Sequence, residues 1–204
     1  MSLLRFIAWI ACCIYATVPS FWLVIHPRAE KWRERKRQRQ GVYNILVPMW
    51  MGMWVALFAI TYRWREMVLY RSHWSWLLGA SFIAVGLLLY GKARHGFSPL
   101  QLSGHHELEP EQHQQKLVVH GIRERVRHPI YLGHLCEMIG WSIGTGMMVC
   151  WCLTAFALIT GTAMIRMEER ELVERFGESY REYQRRVPAV VPRIVGQSLS
   201  RSVS

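Results

Sequence analysis

Apolar residues in this chain are gathered into long blocks separated by strongly charged stretches. A helix needs roughly 20 apolar residues to cross the hydrocarbon core of a bilayer, and several blocks reach that length. Ser2 to Ile25 carries a single charge, Arg5, near its outer end; Gly41 to Tyr62 and Trp74 to Gly91 carry none. Ile130 to Met167 would extend about 57 Å as one helix, too far for a single crossing. It is expected to fold back as a hairpin at Gly144-Thr145-Gly146, its turn signal. The pattern predicts an all-α, multi-pass membrane bundle of about five transmembrane helices ending in a helical hairpin.

Charge orients this bundle. Seven Lys and Arg lie between Arg28 and Arg39, six between Lys92 and Arg127, and eight from Arg166 onward. Arg5, Arg63, Arg65 and Arg71 fall on the other side, so the partition is 21 against 4. The positive-inside rule then places the N-terminus outside and the long loop and C-terminal tail in the cytosol, in a plasma, inner or endoplasmic reticulum membrane. The first block is too long for the apolar region of a signal peptide and runs into a basic stop. Basic loops facing anionic lipid account for the net charge of +11, and no soluble basic fold is present to support nucleic-acid binding. The five cysteines all lie inside apolar blocks without metal-ligand spacing and are expected to act as small hydrophobes.

Residues 1–91 read as a three-helix scaffold whose tryptophans lie mostly near block ends, as an interfacial belt would. The character changes at 92–195, the candidate cofactor-binding and catalytic region, and 196–204 read as a flexible tail. The connector from Lys92 to Arg127 contains Gly104-His105-His106-Glu107 and Glu111-Gln112-His113-Gln114-Gln115. Its histidines are irregularly spaced, which fits a solvated loop and no metal site. Gly140 and Gly144 form a small-x-x-x-small pair expected to pack within the hairpin.

Two polar constellations flank the hairpin. The first runs from His120-Gly121 to Arg127-His128-Pro129-Ile130-Tyr131-Leu132-Gly133, with Pro129 suited to the first turn of a helix. Tyr131, His134, Met138 and Trp141 then share a stripe, with Glu137 beside it. An imidazole and a carboxylate at that depth must pair with each other or face a polar cavity. The second constellation is Glu168-Glu169 after the last apolar block, followed by Glu171, Phe176-Gly177, Tyr180 and Tyr183. Glu171 with Arg175 is an ordinary i, i+4 charge pair on a solvated face. A tight hairpin brings both constellations to one end of a helix pair. There arginine, imidazole, carboxylate and tyrosine groups suit a zwitterionic ligand with an aromatic base.

Both segments, in order and spacing, resemble the isoprenylcysteine carboxyl methyltransferases and related phospholipid methyltransferases. The matching pieces are His120-Gly121, then Val126-Arg127-His128-Pro129-Ile130-Tyr131-Leu132-Gly133, and Glu168-Glu169-Arg170-Glu171-Leu172 through Phe176-Gly177, Tyr180 and Tyr183 to Val187-Pro188. The resemblance covers about residues 90 to 193. It implies S-adenosylmethionine as cofactor, contacted by His120, Gly121, His128, Tyr131, Glu168 and Glu169. It also implies a lipid-like or prenylated acceptor reached from the bilayer. Arg127 would orient cofactor or acceptor, and Ile122-Arg123 replaces the Pro-aromatic pair usual after His-Gly. An acceptor carboxylate is already ionised and needs a cation, from Arg127 or Arg123. An amine must lose a proton, for which His128, His134 or Glu137 is available. An NADPH-dependent sterol- or steroid-type membrane reductase and a non-catalytic membrane scaffold are the competing readings.

Overall fold

The computed structural model describes residues 2–28, 31–32, 34–35, 41–94 and 117–192. Residues 29–30, 33 and 36–40, residues 95–116 with the connector's histidine clusters, and the tail from residue 193 lie outside the described residues. The principal helices among the described residues are, in chain order, α1 (Leu3–Ile25), α2 (Tyr43–Thr61), α3 (Trp74–Arg94), α4 (Pro129–Thr145), α5 (Met148–Phe176) and α6 (Glu178–Arg186). Among the described residues, the helices containing α1, α2, α3 and α5 are long and apolar enough to cross a membrane. The fifth, α4, has 17 residues, at the lower limit for a crossing. The molecule is a multi-pass helical membrane bundle.

The hairpin turns where its glycines allow. Gly146 adopts a left-handed conformation at the end of α4, with φ +64°, and Met147 leads into α5. Residues 67–70 cap this turn: Leu69 N donates to Gly146 O at 2.8 Å, and Met148 N donates to Met67 O at 3.0 Å. Tyr70 OH adds a bond to Ile143 O at 2.8 Å. Helix α5 is 29 residues long, so its last turns, carrying Glu168 to Arg175, continue the helix beyond its apolar stretch.

Helix α3 lies against α4, and α1 lies against both α4 and α5, with α2 on the outside of α1. Between lipid-embedded helices there is no hydrophobic driving force, so close backbone approach and interhelical bonds must supply the association. Glycines provide the approach between α3 and α4. A Cβ on Gly79 would sit 2.6 Å from Gly140 O, and one on Gly86 would sit 2.7 Å from Gly133 O. Gly140 and Gly144 therefore serve the α3 interface, against Ile83 and Trp76, and not the inside of the hairpin as the sequence led us to expect.

The second interface is a packed core of Ala8, Trp9, Cys12, Cys13 and Ala16 from α1 with Met138, Val149, Cys150 and Leu153. Trp9 is fully buried; it stacks on Phe58 at 4.1 Å and donates to Thr61 Oγ1 at 2.9 Å, which fixes α2 to α1. It is thus a core residue and no part of an interfacial belt. Trp74, 81% exposed, keeps a boundary position. Four of the five cysteines are buried, as expected of small hydrophobes, while Cys152 is exposed.

Candidate active site

Two chain segments meet at the charged end of the hairpin. His128 caps α4 and Pro129 occupies its first turn, where the missing proline N–H costs no intrahelical bond. Backbone donors just upstream are held by the segment after α6: Arg127 N donates to Pro188 O at 3.0 Å and His128 N to Ala189 O at 2.9 Å. Gly177, with φ +59°, lets the chain turn from α5 into α6. That turn brings Gln184 and Val187 back over Arg127.

Glu169 is the centre of the resulting network. Its Oε1 accepts from Arg127 Nε at 2.7 Å and lies 2.5 Å from Arg127 Nη2. The same oxygen is 3.1 Å from His128 Nε2, while Oε2 accepts from Gln184 Nε2 at 3.2 Å. His128 is buried, and its other ring nitrogen is 3.5 Å from Glu168 Oε2. Arg127 also donates through Nη1 to Gln184 O at 3.1 Å and to Val187 O. The Arg127 side chain is 9% exposed, so its guanidinium is committed to Glu169 and the α6 carbonyls. Glu168, at 30% exposure, presents its carboxylate outward from the same network.

Around this centre the cap is apolar and closely tied. Tyr180, Tyr183 and Val187 bury themselves with Leu117, Val119, Leu172, Val173 and Phe176. Tyr183 OH donates to Arg123 O at 2.7 Å. Arg123 is itself buried, and its Nη1 donates to Ala93 O at 3.3 Å, near the C-terminal end of α3, where a cation meets the negative end of the helix dipole. Burial pulls its pKa below the usual arginine range, against the pull of Tyr183 and Glu168. The charge that replaces the usual aromatic residue is therefore used to dock the 121–124 turn on α3. His120 and Gly121 are exposed at the entry to that turn. Gly121 has φ +69°, and its N–H donates to Glu124 at 3.3 Å.

Deeper along α4, Tyr131 OH donates to Met164 Sδ on α5 at 2.8 Å. His134 and Glu137 do not satisfy each other. The His134 ring stacks between Tyr15 of α1, at 4.9 Å, and Tyr90 of α3, at 5.9 Å. Glu137 is 5% exposed, and Tyr15 OH donates to its Oε2 at 2.5 Å. The structure thus forms two groups: Arg127 and His128 at the start of α4 with Glu168 and Glu169 of α5, and His134 and Glu137 about one and a half to two turns further along α4.

Sequence reasoning missed the partners supplied by the first 91 residues. Tyr15 and Tyr90 each lie in a helix read as scaffold, and each touches His134. Their signal was present but slight, as phenols within apolar helices that require a partner when buried. His26 was also missed. Its Nδ1 lies 2.8 Å from Glu171 Oε1, so Glu171 ties the end of α1 to α5 in addition to any role on its own helix face.

Beside Glu169 an open cleft of about 430 Å³ is lined by Arg166, Arg170, Val173, Glu174, Arg181 and Gln184. It offers guanidinium groups and carboxylates within one concavity at the mouth of the network. Among the described residues, no group of three or more His, Cys, Asp or Glu is placed to hold a metal ion.

Comparison with known proteins bears on the same region. The family model described as phospholipid methyltransferase matches residues 74–179, from the start of α3 into α6. Protein-S-isoprenylcysteine O-methyltransferase B of Arabidopsis thaliana is 38% identical over 91 residues, covering 42% of this chain and 44% of that protein. The human protein-S-isoprenylcysteine O-methyltransferase is 41% identical over 85 residues, 39% of this chain and 28% of that protein. Methanethiol S-methyltransferase 2 of Bradyrhizobium diazoefficiens is 38% identical over 71 residues, 34% of this chain and 26% of that protein. The chain thus matches less than half the length of each of these relatives. No solved structure matches it significantly.

Proposed function

The chain belongs to the phospholipid methyltransferase family, and from that premise we propose that it moves a methyl group from S-adenosylmethionine to an amphiphilic acceptor at the cytosolic membrane face. The observation that carries this reading is the Arg127–His128–Glu168–Glu169 network, built by the two ends of one apolar hairpin. The relatives' names, isoprenylcysteine O-methyltransferase and methanethiol S-methyltransferase, support methyl transfer over NADPH-dependent reduction.

The residues present fit the proposed donor. Its ammonium group calls for a carboxylate, and Glu168 is the more exposed of the two in the network. Its carboxylate calls for guanidinium groups, and the cleft beside Glu169 offers Arg166, Arg170 and Arg181. His120, Gly121, His128 and Tyr131 complete the set that we assign to cofactor binding, with Glu169 held in place by Arg127. When bound, S-adenosylmethionine supplies a methyl carbon made electrophilic by an adjacent sulfonium. The protein's task is then chiefly alignment of the acceptor, since an in-line displacement gains most from positioning. Arg127 serves that task indirectly in this geometry, by fixing Glu169 and the α6 carbonyls. His134 and Glu137 would act on the acceptor.

The same reading assigns residues 92–195 as the cofactor-binding region on a scaffold of residues 1–91, with the basic loops in the cytosol and the N-terminus outside. An acceptor with its tail in hydrocarbon would meet the cofactor near headgroup level. The test is twofold. Purified protein in detergent should bind S-adenosylmethionine and not NADPH at equilibrium. With methyl-labelled cofactor it should transfer label into a crude lipid and peptide extract. Binding of NADPH alone would overturn the assignment, and cofactor binding without any labelled product would leave a non-catalytic membrane protein.

A further inference from the structure

The buried carboxylate of Glu137 has no structural explanation within the network at the hairpin's end. It lies nine residues beyond His128, roughly 14 Å along the helix axis, and is 5% exposed. A carboxylate at that depth is costly unless a cation or several donors compensate it. None of the ion pairs among the described residues reaches it, and one neutral phenol, Tyr15, donates to it at 2.5 Å. A carboxylate accepts at about four lone-pair sites, so most of its capacity is unspent.

Space for this group is made by the absence of a side chain. A Cβ on Gly86 would lie 2.6 Å from Glu137 Cγ, so α3 carries a glycine where it crosses the carboxylate. Next to it three rings from three helices stand in a row, Tyr15, His134 and Tyr90, with interplanar angles of 24° and 27°. All three are part-exposed; Tyr15 also packs against the core shared by α1, α4 and α5, while Tyr90 and His134 belong to none of the bundle's buried cores. Electron-rich ring faces beside an anionic oxygen attract organic ammonium groups. The same lining repels a carboxylate.

We propose that Tyr15, Tyr90, His134 and Glu137 form a binding site for the cationic nitrogen head of a membrane amphiphile. As the acceptor in methyl transfer, a role that rests on the function proposed above, such a molecule is an amine and not a carboxylate: its ammonium would give a proton to Glu137, and the freed nitrogen lone pair would take the methyl group as the donor's sulfonium becomes a neutral thioether. Tyr15 holds the carboxylate toward the rings and Tyr90 supplies the outer wall, so both are specificity residues contributed by helices outside the hairpin.

The experiment separates binding from turnover. Protein in a maltoside detergent, whose head group is neutral, is titrated with tetradecyltrimethylammonium carrying 13C-labelled N-methyl groups, at fixed micelle concentration. Tetradecanoate is titrated in parallel. The site predicts saturable binding with an upfield ring-current shift of the N-methyl signal, and at least tenfold weaker binding of tetradecanoate. Glu137→Gln should weaken the cation tenfold or more and strengthen tetradecanoate, so that the preference between the two probes shrinks. Tyr90→Leu should reduce the ring-current shift, and Tyr15→Phe, which keeps the ring and releases the carboxylate, should weaken the cation less than Glu137→Gln does. The comparison of the two probes on the unaltered protein needs no variant to fold. Equal affinity for both probes, or an unchanged affinity for the cation in a folded Glu137→Gln protein, overturns the proposal. Binding of S-adenosylmethionine is measured on the same samples. Cofactor bound without the cation defeats this inference alone, whereas the cation bound without the cofactor defeats the methyltransferase reading and leaves the head-group site standing.

Discussion

Glu169→Gln should loosen the whole cap over the hairpin's end while leaving the membrane bundle intact. In the native protein one carboxylate receives Arg127, His128 and Gln184, and Arg127 in turn holds the carbonyls of Gln184 and Val187. Removing the charge leaves a guanidinium that is 9% exposed without its counter-ion. Breaking a buried pair from one side costs about 3–5 kcal/mol. Glutamine keeps one acceptor oxygen, and the bond it retains returns about 1 kcal/mol. The net loss is about 2–4 kcal/mol, or roughly 30- to 900-fold in the equilibrium between closed and open cap. Hydrogen exchange of the α6 amides reads this directly, since α6 opens as a local unit before the bundle does. Glu178→Gln is the control, because it removes the same charge from α6 at a side chain that is 66% exposed and paired only at the surface, and it should leave exchange unchanged. In the same protein, S-adenosylmethionine affinity should fall about ten- to a hundredfold as Glu168 and His128 lose their fixed geometry. Unaltered α6 exchange in Glu169→Gln, or an equal response to Glu178→Gln, would refute the reasoning that Glu169 anchors the cap.

Two further outcomes follow from the packing and the charge pattern. Gly140→Ala should lower the unfolding temperature in detergent, because its Cβ would stand 2.6 Å from Gly79 O, and overpacking of this kind costs about 1–3 kcal/mol. Gly52→Ala on α2, with nothing within 4 Å of the new carbon, should be neutral or slightly stabilising; the reverse order would mean that α3 and α4 do not approach through their glycines. For topology, single cysteines in a background cleared of native thiols should be labelled from the cytosol at Gln112 and Ser200 and from outside at Ser72. Ser72 is exposed, which makes it a better reporter than the buried Thr145 at the turn. Cytosolic labelling of Ser72 would invert the assignment.

The sequence announced the helices because hydrocarbon imposes a length, and length is a local property. Ser2–Ile25, Gly41–Tyr62 and Trp74–Gly91 correspond to α1, α2 and α3 within a few residues, and Gly146 ends α4 where a left-handed turn was available. The network at the hairpin's end was legible for a similar reason, since a tight turn fixes which ends of α4 and α5 must meet. Lateral neighbours obey no such rule. Nothing in the spacing of Tyr15 and Glu137, 122 residues apart, tells which face of α1 meets α4, because in lipid every face of an apolar helix is equally acceptable until packing chooses one. Glycine spacing did mark a contact face on α4, but Gly140 and Gly144 fit an approach from either neighbour, and the glycines of α3 decide it. Gly79 and Gly86 lie seven residues apart, as do Gly133 and Gly140, so the two pairs meet backbone to backbone. That register brings Gly86 onto Glu137 and sets Tyr90 beside His134. The close packing of α3 on α4 and the wall of the head-group site are therefore consequences of one set of small residues.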